Sequence, residues 1–471
     1  MIPIPAYKDR RVAVFGLGRS GIAAAKALKA GGARVSAWDD SQAGRDFAAA
    51  EGLELDDLNR RDWGDIDALV LSPGVPLTHP KPHHVVELAR AVGAPVIGDI
   101  ELFASAINAI PQKRRPKVIG VTGTNGKSTT TALIGHILKQ TGRNVHVGGN
   151  IGEAILTLEP PRPGAIYVLE LSSYQLDLTQ NLHCDIALML NISPDHLDRH
   201  GGFDGYFFAK ERLFEMQDET GQAVIGIDDE ETAALFTRLR RERGEDQVAP
   251  ISSGRVLVNG AYGLGGQLYD AMDGASHPVA DLNKALALPG RHNAQNAAAA
   301  LVVVRMLGVG ASAAAEAISS FPGMPHRQES VAEIKGVRFI NDSKATNVDA
   351  TRQALKCYQT IYWIAGGRAK DDGLGALAGC HDRIAKAFLI GEAETAFAKE
   401  LSGKVERECC GDLKTAFERA SQTAFDDGRE GAVVLLSPAA ASFDQFENFE
   451  ARGEAFRGLA QALVSTPETV S

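Results

Sequence analysis

Short apolar runs recur along the chain, each stopped by glycine or polar residues and followed by a stretch with helical spacing. That alternation predicts an α/β fold built on parallel sheets. In the first block the runs fall near 12–16, 34–38 and 67–71, and a basic segment ending in proline, QKRRPK (112–117), reads as a linker. The second block opens on VIGVTGTNGKSTTTALIGHIL and continues through AIYVLELSS and DIALMLNIS, apolar runs that end in polar residues. Near RVLVNGAYGLGGQLYDAM (255–272) the period shortens toward two, which predicts a small antiparallel meander. A long helix over GRHNAQNAAAALVVVRMLG precedes FPGMPHRQE (321–329), where two prolines and a glycine mark a second boundary. Strands near VRFIND, TIYWIAGG, AKAFLIG and GAVVLLSP then form a third block. The expected domains are 1–110, 111–322 and 323–471.

Composition narrows the class. At 471 residues the chain exceeds what one core holds, since domains run to ~100–200 residues. A net charge of −10 argues against a general affinity for nucleic acid or anionic membrane, so any phosphate must be held locally. No apolar run approaches the ~20 residues of a membrane span, and MIPIPAYKDRR lacks the apolar stretch of a secretory signal, so a cytoplasmic protein without membrane partners is expected. Five cysteines (Cys184, Cys357, Cys380, Cys409, Cys410) form no CxxC pair and suggest reduced, mostly buried thiols.

Two glycine loops carry the candidate chemistry. In VAVFGLGRSG, Gly16, Gly18 and Gly21 make GxGxxG between an apolar strand and an alanine-rich helix. Such glycines permit close backbone approach, and the helix start favours an anion, with Arg19 and Ser20 as further donors. Asp39 and Asp40 follow the second strand at about the spacing of the ribose acid in dinucleotide-binding folds, so the loop alone leaves NAD and other phosphates open. The second loop, GVTGTNGKST (120–129), departs from the strict P-loop pattern because Val121 stands where its first glycine belongs. Its working parts remain: Gly123 and Gly126 to turn N–H groups inward, Lys127 for the β- and γ-phosphates, and Ser128 for Mg²⁺. His79, His83 and His84 in THPKPHHV lack an acid or cysteine beside them and read as a solvated loop rather than a metal site.

These blocks resemble those of the Mur ligase family, ATP-dependent amide-forming enzymes of peptidoglycan precursor synthesis. GVTGTNGKST, GGNIG (148–152), ELSSYQL (170–176), NISPDHLDRHG (191–201) and PGRHNAQN (289–296) are similar to the family's central-domain blocks. MPHRQE (324–329), INDSKATN (340–347) and SPAAASFDQFENFEARG (437–453) continue the likeness into the last domain. ELSSYQLD and SPAAASFDQF are most like those of D-glutamate-adding members, and the DNPR motif of the diaminopimelate or lysine adders is absent. The resemblance implies three domains: a Rossmann-like N-terminal domain for a UDP-linked substrate, a central P-loop-type ATP domain, and a Rossmann-like C-terminal domain for the amino acid.

The resemblance also implies the site. ATP would lie on Gly123, Thr124, Asn125, Gly126, Lys127, Ser128 and Thr129, with Asn293, Arg327 and Asp342, and Lys344 nearby. Glu170, which a strand end delivers to the sheet edge, would hold Mg²⁺ with Ser128. His196 and a carbamylated Lys210 would serve a second Mg²⁺, although spacing alone sends Lys210 to solvent along the helix of Phe203, Tyr206, Phe207 and Phe214. Lys127, Glu170, His196 and Lys210 form the catalytic set. UDP-N-acetylmuramoyl-L-alanine would meet Gly18, Arg19, Ser20, Asp39, Asp40, Ser72, Gly74 and Asn150; D-glutamate would meet Thr346, Lys370, Ser442 and Phe449. Arg368 in GGRAKDDG departs from the family pattern. A hinge near 321–326 is expected to close the site against water. The competing readings are a related ligase adding L-alanine or acting on a folate, a nucleotide-sensing module, and an NAD enzyme with a vestigial ATP loop.

Overall fold

The computed structural model describes residues 1–285, 287–369 and 373–465. It contains three sheets in chain order, distributed over two compact units: Met1–Asp281 with Asn293–Ser319, and Leu282–His292 with the chain from Ser320 onward.

The first unit holds two sheets. Strands β1 (Arg11–Phe15), β2 (Arg34–Trp38), β3 (Ala68–Leu71) and β4 (Val96–Ile97) pair in parallel in the order β2-β1-β3-β4. Val12 and Val14 enter one core while Ala13 and Phe15 enter another. Burial on both faces is why β1 reads as an unbroken apolar run rather than an alternating one. The second sheet comprises β5 (Lys117–Thr122), β6 (Val145–Gly149), β7 (Ile166–Glu170), β8 (Ile186–Met189), β9 (Gln222–Gly226), β10 (Val248–Ser252), β11 (Ala261–Leu264), β12 (Gln267–Asp270) and β13 (His277–Asp281). Its order is β13-β12-β11-β10-β9-β8-β5-β7-β6; β6 through β11 are parallel, and β11 to β13 form the antiparallel meander expected near 255–272.

Both glycine loops sit where strand order reverses. β2 and β3 flank β1, and β7 and β8 flank β5, so the loops after β1 and β5 open at the carboxyl edge where α/β sheets bind ligands.

The second unit carries β14 (Glu329–Ile334), β15 (Val337–Asn341), β16 (Thr360–Gly366), β17 (Ile384–Ile390), β18 (Arg407–Gly411) and β19 (Ala432–Leu436), in the order β14-β15-β19-β16-β17-β18. Only β14 runs antiparallel to its neighbour. Trp363 and Leu435 face one core, Tyr362 and Val434 the other. The expectation of mostly buried thiols is corrected here: Cys184 and Cys380 are buried, Cys357 and Cys410 partly so, and Cys409 on the edge strand β18 is exposed. Among the described residues no helix is long and apolar enough to cross a membrane.

Candidate active site

The loop between β5 and the helix Lys127–Gln140 turns on Gly126, whose φ of 84° lies in the left-handed region. A Cβ there would stand 2.2 Å from Asn296 Oδ1, so both conformation and space demand glycine. Asn191 holds the loop open: its Oδ1 accepts from Asn125 N–H at 2.9 Å, and its Nδ2 donates to Asn125 O and Gln295 Oε1. Gln295 in turn donates to Asp228, and Asn296 donates to Asn293 Oδ1 at 2.9 Å. Of these supports only Asn293 is expected from the sequence. Thr124 N–H donates to Asn191 O, and its hydroxyl to Ser193 O. Lys127 Nζ donates to Gly123 O and Thr124 O at 2.9 and 2.7 Å, curled over the loop that would surround a phosphate. Ser128 and Thr129 lie in the first turn of the helix.

Around that loop the structure collects the expected catalytic set. Glu170 ends β7 and is buried; its Oε1 accepts from Asn150 Nδ2 at 2.9 Å, while Oε2 is buried without a hydrogen-bond partner. An orphaned anionic oxygen is costly in a protein interior unless a cation meets it. Among the described residues no three His, Cys, Asp or Glu side chains form a metal cage. The unpartnered Oε2 of Glu170 is the kind of single hard oxygen that Mg²⁺ takes, the rest of its sphere being filled by water and phosphate. Asn150, expected on the UDP-linked substrate, is thus also the partner of Glu170.

Lys210 reverses the expectation drawn from spacing. It is only 1% exposed, and its Nζ donates to Gly123 O at 2.9 Å and lies 4.7 Å above the Tyr206 ring. Burial, then the charge of Lys127, hold its pKa well below the usual lysine value. His196 stands just before the turn Leu197–His200 with φ of 52° and Nε2 3.4 Å from Asp195 Oδ2. Burial lowers its pKa, Asp195 raises it, and Lys210 and Lys127 lower it further. Tyr206 supports both residues, its hydroxyl 3.1 Å from Thr124 Oγ1.

At the first glycine loop, Gly18 caps the helix Arg19–Ala30 without a side-chain hydrogen bond, leaving the helix start bare apart from Arg19 and Ser20. Asp39 is already engaged: Oδ2 accepts from Leu17 N–H at 2.6 Å and Oδ1 from Ser41 N–H at 2.8 Å. It braces the loop that a ribose acid would leave free. Asp40 accepts from Asn59 and pairs with His83, whose ring lies 4.5 Å from Phe15. His83 therefore packs on Phe15 and pairs with Asp40 rather than standing free in solvent. Ser72 N–H donates to Phe15 O, and Gly74 O accepts from Arg199 Nη1 at 3.0 Å, a contact with no sequence signal.

In the second unit, Asp342 is buried, accepting from Ser437 Oγ at 2.8 Å and Gln328 N–H at 3.1 Å; burial pushes its pKa up to about 7. Arg327 lies one residue before Gln328, and its charge acts on Asp342 to lower that pKa, against burial. Thr346 follows Lys344, whose Nζ sits 3.9 Å from the Phe449 ring centroid. Phe449 O accepts from Ser343 Oγ, so this carbonyl serves the fold. Buried Arg452 donates to Ser343 and Ala440 and was not expected from the sequence. Ser442 is buried. Arg368 forms a two-pronged pair with Glu392 at 3.0 and 3.1 Å on the surface. Lys370 lies outside the described residues.

A phosphate loop joined to a carboxylate with an unmet cation demand defines an α/β nucleotide-binding protein equipped for phosphoryl transfer. Residues 121–304 match the family model of the Mur ligase middle domain, and 326–440 that of the Mur ligase, glutamate ligase domain. The UDP-N-acetylmuramoylalanine–D-glutamate ligase of Caulobacter vibrioides is 54% identical over 465 residues, covering 99% of this chain and 98% of the relative. The ligase of that name from Rhodospirillum rubrum is 50% identical over 472 residues, covering 99% and 97%. The chain belongs to the Mur ligase family. Among solved structures, the Thermotoga maritima MurF ligase in complex with ADP aligns at a TM-score of 0.58 and 17% identity, over 97% of this chain and 99% of that one. The UDP-N-acetylmuramate-alanine ligase from the same organism aligns at 0.57 and 17%, over 96% and 99%. At these identities the likeness is one of fold.

Proposed function

We propose that this chain joins D-glutamate to UDP-N-acetylmuramoyl-L-alanine at the expense of ATP, in peptidoglycan precursor synthesis in the cytoplasm. The observation that carries the reading is the phosphate loop with Lys127, closed over by buried Lys210 and faced by the unpartnered Oε2 of Glu170. A carboxylate does not condense with an amine unaided. The γ-phosphate of ATP passes to the alanine carboxylate, the glutamate amine attacks the resulting acyl phosphate, and phosphate leaves as the amide forms. The first step brings two anions together, so positive charge must stand between them. Lys127 supplies it from the loop, and His196 lies beside it for the substrate.

Mg²⁺, held by Ser128 and Glu170, with His196 and Lys210 at a second site, would neutralise phosphate charge. Lys210 suits carbamylation: burial favours its neutral amine, whose nitrogen attacks CO₂ and releases a proton. The carbamate then places an anion beside Lys127 instead of a second cation. ATP is completed by Asn293, Arg327 and Asp342. The uridine end lies at Gly18, Arg19, Ser20, Asp39, Asp40, Ser72 and Gly74, with Asn150 reaching from the central sheet. D-Glutamate lies on Thr346, Lys370, Ser442 and Phe449. The domains are assigned to 1–110, 111–322 and 323–471, and the working form is the monomer.

Phosphate release with UDP-N-acetylmuramoyl-L-alanine and ATP, compared for D-glutamate, L-glutamate and no amino acid, tests the reading. Release confined to D-glutamate and lost in Lys127→Ala is expected. Release with none of them, or NADH binding at the first loop, returns the molecule to the sensing or NAD readings.

A further inference from the structure

The turn Leu197–His200 ends in a side-chain cluster that the catalytic scheme does not use. The His200 side chain is 2% exposed, with Nε2 2.9 Å from Ser173 Oγ and Nδ1 3.1 Å from Asp177 Oδ2. A carboxylate oxygen accepts, so the pairing assigns Nδ1–H to Asp177 and leaves Nε2 to accept from the Ser173 hydroxyl. Serine, histidine and aspartate thus stand in the order of a nucleophile triad. Ser173 and His200 are both buried, however, so no substrate carbonyl reaches Oγ. What such an assembly can deliver is position.

Both of its ends lead to the phosphate loop. Ser173 opens the short helix Ser173–Asp177, which a capping box between Ser172 and Gln175 fixes directly behind Glu170. His200 closes the turn that begins at His196, a non-glycine residue held at φ of 52°, a conformation that persists only where its surroundings enforce it. From the other side Arg199 pins the same turn, with Nη1 on Gly74 O and its guanidinium 4.6 Å over Tyr174. The His200 ring stacks on Tyr174 at 5.4 Å and lies 5.5 Å from Tyr206, which reaches Thr124 and Lys210. We propose that His200 is a positioning residue for phosphoryl transfer: the Asp177–His200–Ser173 chain sets His196 against Glu170 and Lys210. The proposal rests on the role given above to His196.

The test is steady-state kinetics on full-length His200→Phe and Ser173→Ala, with melting temperature and ADP affinity measured alongside. Phenylalanine keeps a ring for Tyr174 and Tyr206 and removes both hydrogen bonds; alanine removes one. A displacement near 1 Å lowers rates by roughly a hundredfold, so kcat should fall about that much in His200→Phe and about tenfold in Ser173→Ala. KM for all three substrates and ADP affinity should stay unchanged, because uniform binding is untouched. In a His196→Ala background, His200→Phe should bring no further loss. Multiplicative losses in that double variant, or raised KM at unchanged kcat, overturn the proposal while leaving the role of His196 standing. A His196→Ala enzyme with full kcat overturns both. If His200→Phe does not fold, Ser173→Ala decides alone, and an unchanged kcat in it rejects the relay.

Discussion

Asp342 offers a quantitative check on the second unit. Its carboxyl is buried at the end of β15, where Asp342 N–H donates to Leu436 O at 2.8 Å. Burial moves its pKa from 3.8 to about 7 against the opposing pull of Ser437, Gln328 and Arg327. Between those two values the folded state keeps a proton that the unfolded chain has released, so stability falls as pH rises through this window. The full displacement corresponds to on the order of 4 kcal/mol, of which about 3 kcal/mol falls between pH 5 and pH 8. Asp342→Asn removes the titration and keeps the geometry. Its Oδ1 accepts from Gln328 N–H, while its amide donates to Ser437 Oγ, whose own hydrogen then turns to Thr351 Oγ1 at 3.1 Å. Amide hydrogen exchange in β15 and β19, measured on both proteins at each pH so that intrinsic rates cancel, reads the opening free energy of this sheet. The variant should gain on the wild type by about 3 kcal/mol from pH 5 to pH 8. A difference that stays flat, or that runs the other way, would refute burial as the origin of the shift.

Three further outcomes follow from the central site. Gly126→Ala places a residue at φ of 84° against Asn296; roughly 1–3 kcal/mol of strain should appear as weakened ADP binding by calorimetry, and wild-type affinity would count against the loop geometry. Glu170→Gln keeps an oxygen for Asn150 but loses the charge behind Oε2, so the Mg²⁺ concentration for half-maximal activity should rise by about tenfold, the equivalent of ~1.4 kcal/mol. An unchanged requirement removes Glu170 from the metal. Carbon-13 bicarbonate should give a carbamate signal in the wild type that vanishes in Lys210→Arg together with activity, and a signal that survives the substitution assigns it to another amine.

Many of the strands and the two glycine loops were legible because they rest on local rules, whereas β4, β6, β9 and β10 were not read. β1, β5, β7, β8, β15, β16, β17 and β19 are apolar runs buried on both faces, and periodicity reports burial of that kind directly. β14 and β18 are edge strands carrying Glu329, Glu333, Arg407 and Glu408, so their exposed positions break the run. Lys127 and Glu170 were legible as members of motifs on strand ends. The burial of Lys210 was not, since helical spacing describes a helix against solvent and does not contain the Gly123 carbonyl that accepts from its Nζ. Asn191, Gln295, Arg199 and Arg452 were missed for the same reason: each acts across many residues of chain, and single polar residues in loops carry no period. At Asp39 spacing alone left the role open, and the structure adds what spacing does not contain: its carboxylate ties the Leu17 and Ser41 N–H groups together.

The two glycine loops show why motif and function part company. Both follow a buried parallel strand, both lie where strand order reverses, and both open a helix without a side-chain cap, an end that suits an anion. They differ in what surrounds that helix start. The first has a braced aspartate, with Arg19 and Ser20 in its first turn and Ser72 bonded to the strand end before it, groups that suit holding a phosphate. The second has Lys127 in its first turn, Lys210 buried behind it and a carboxylate oxygen left unmatched in front. A site that only binds has no use for a buried orphan oxygen and a buried lysine amine, because each lowers stability in the empty state. A site that must bring two anions together and then release them does, and that asymmetry supports the proposed division, recognition at the first loop and chemistry at the second.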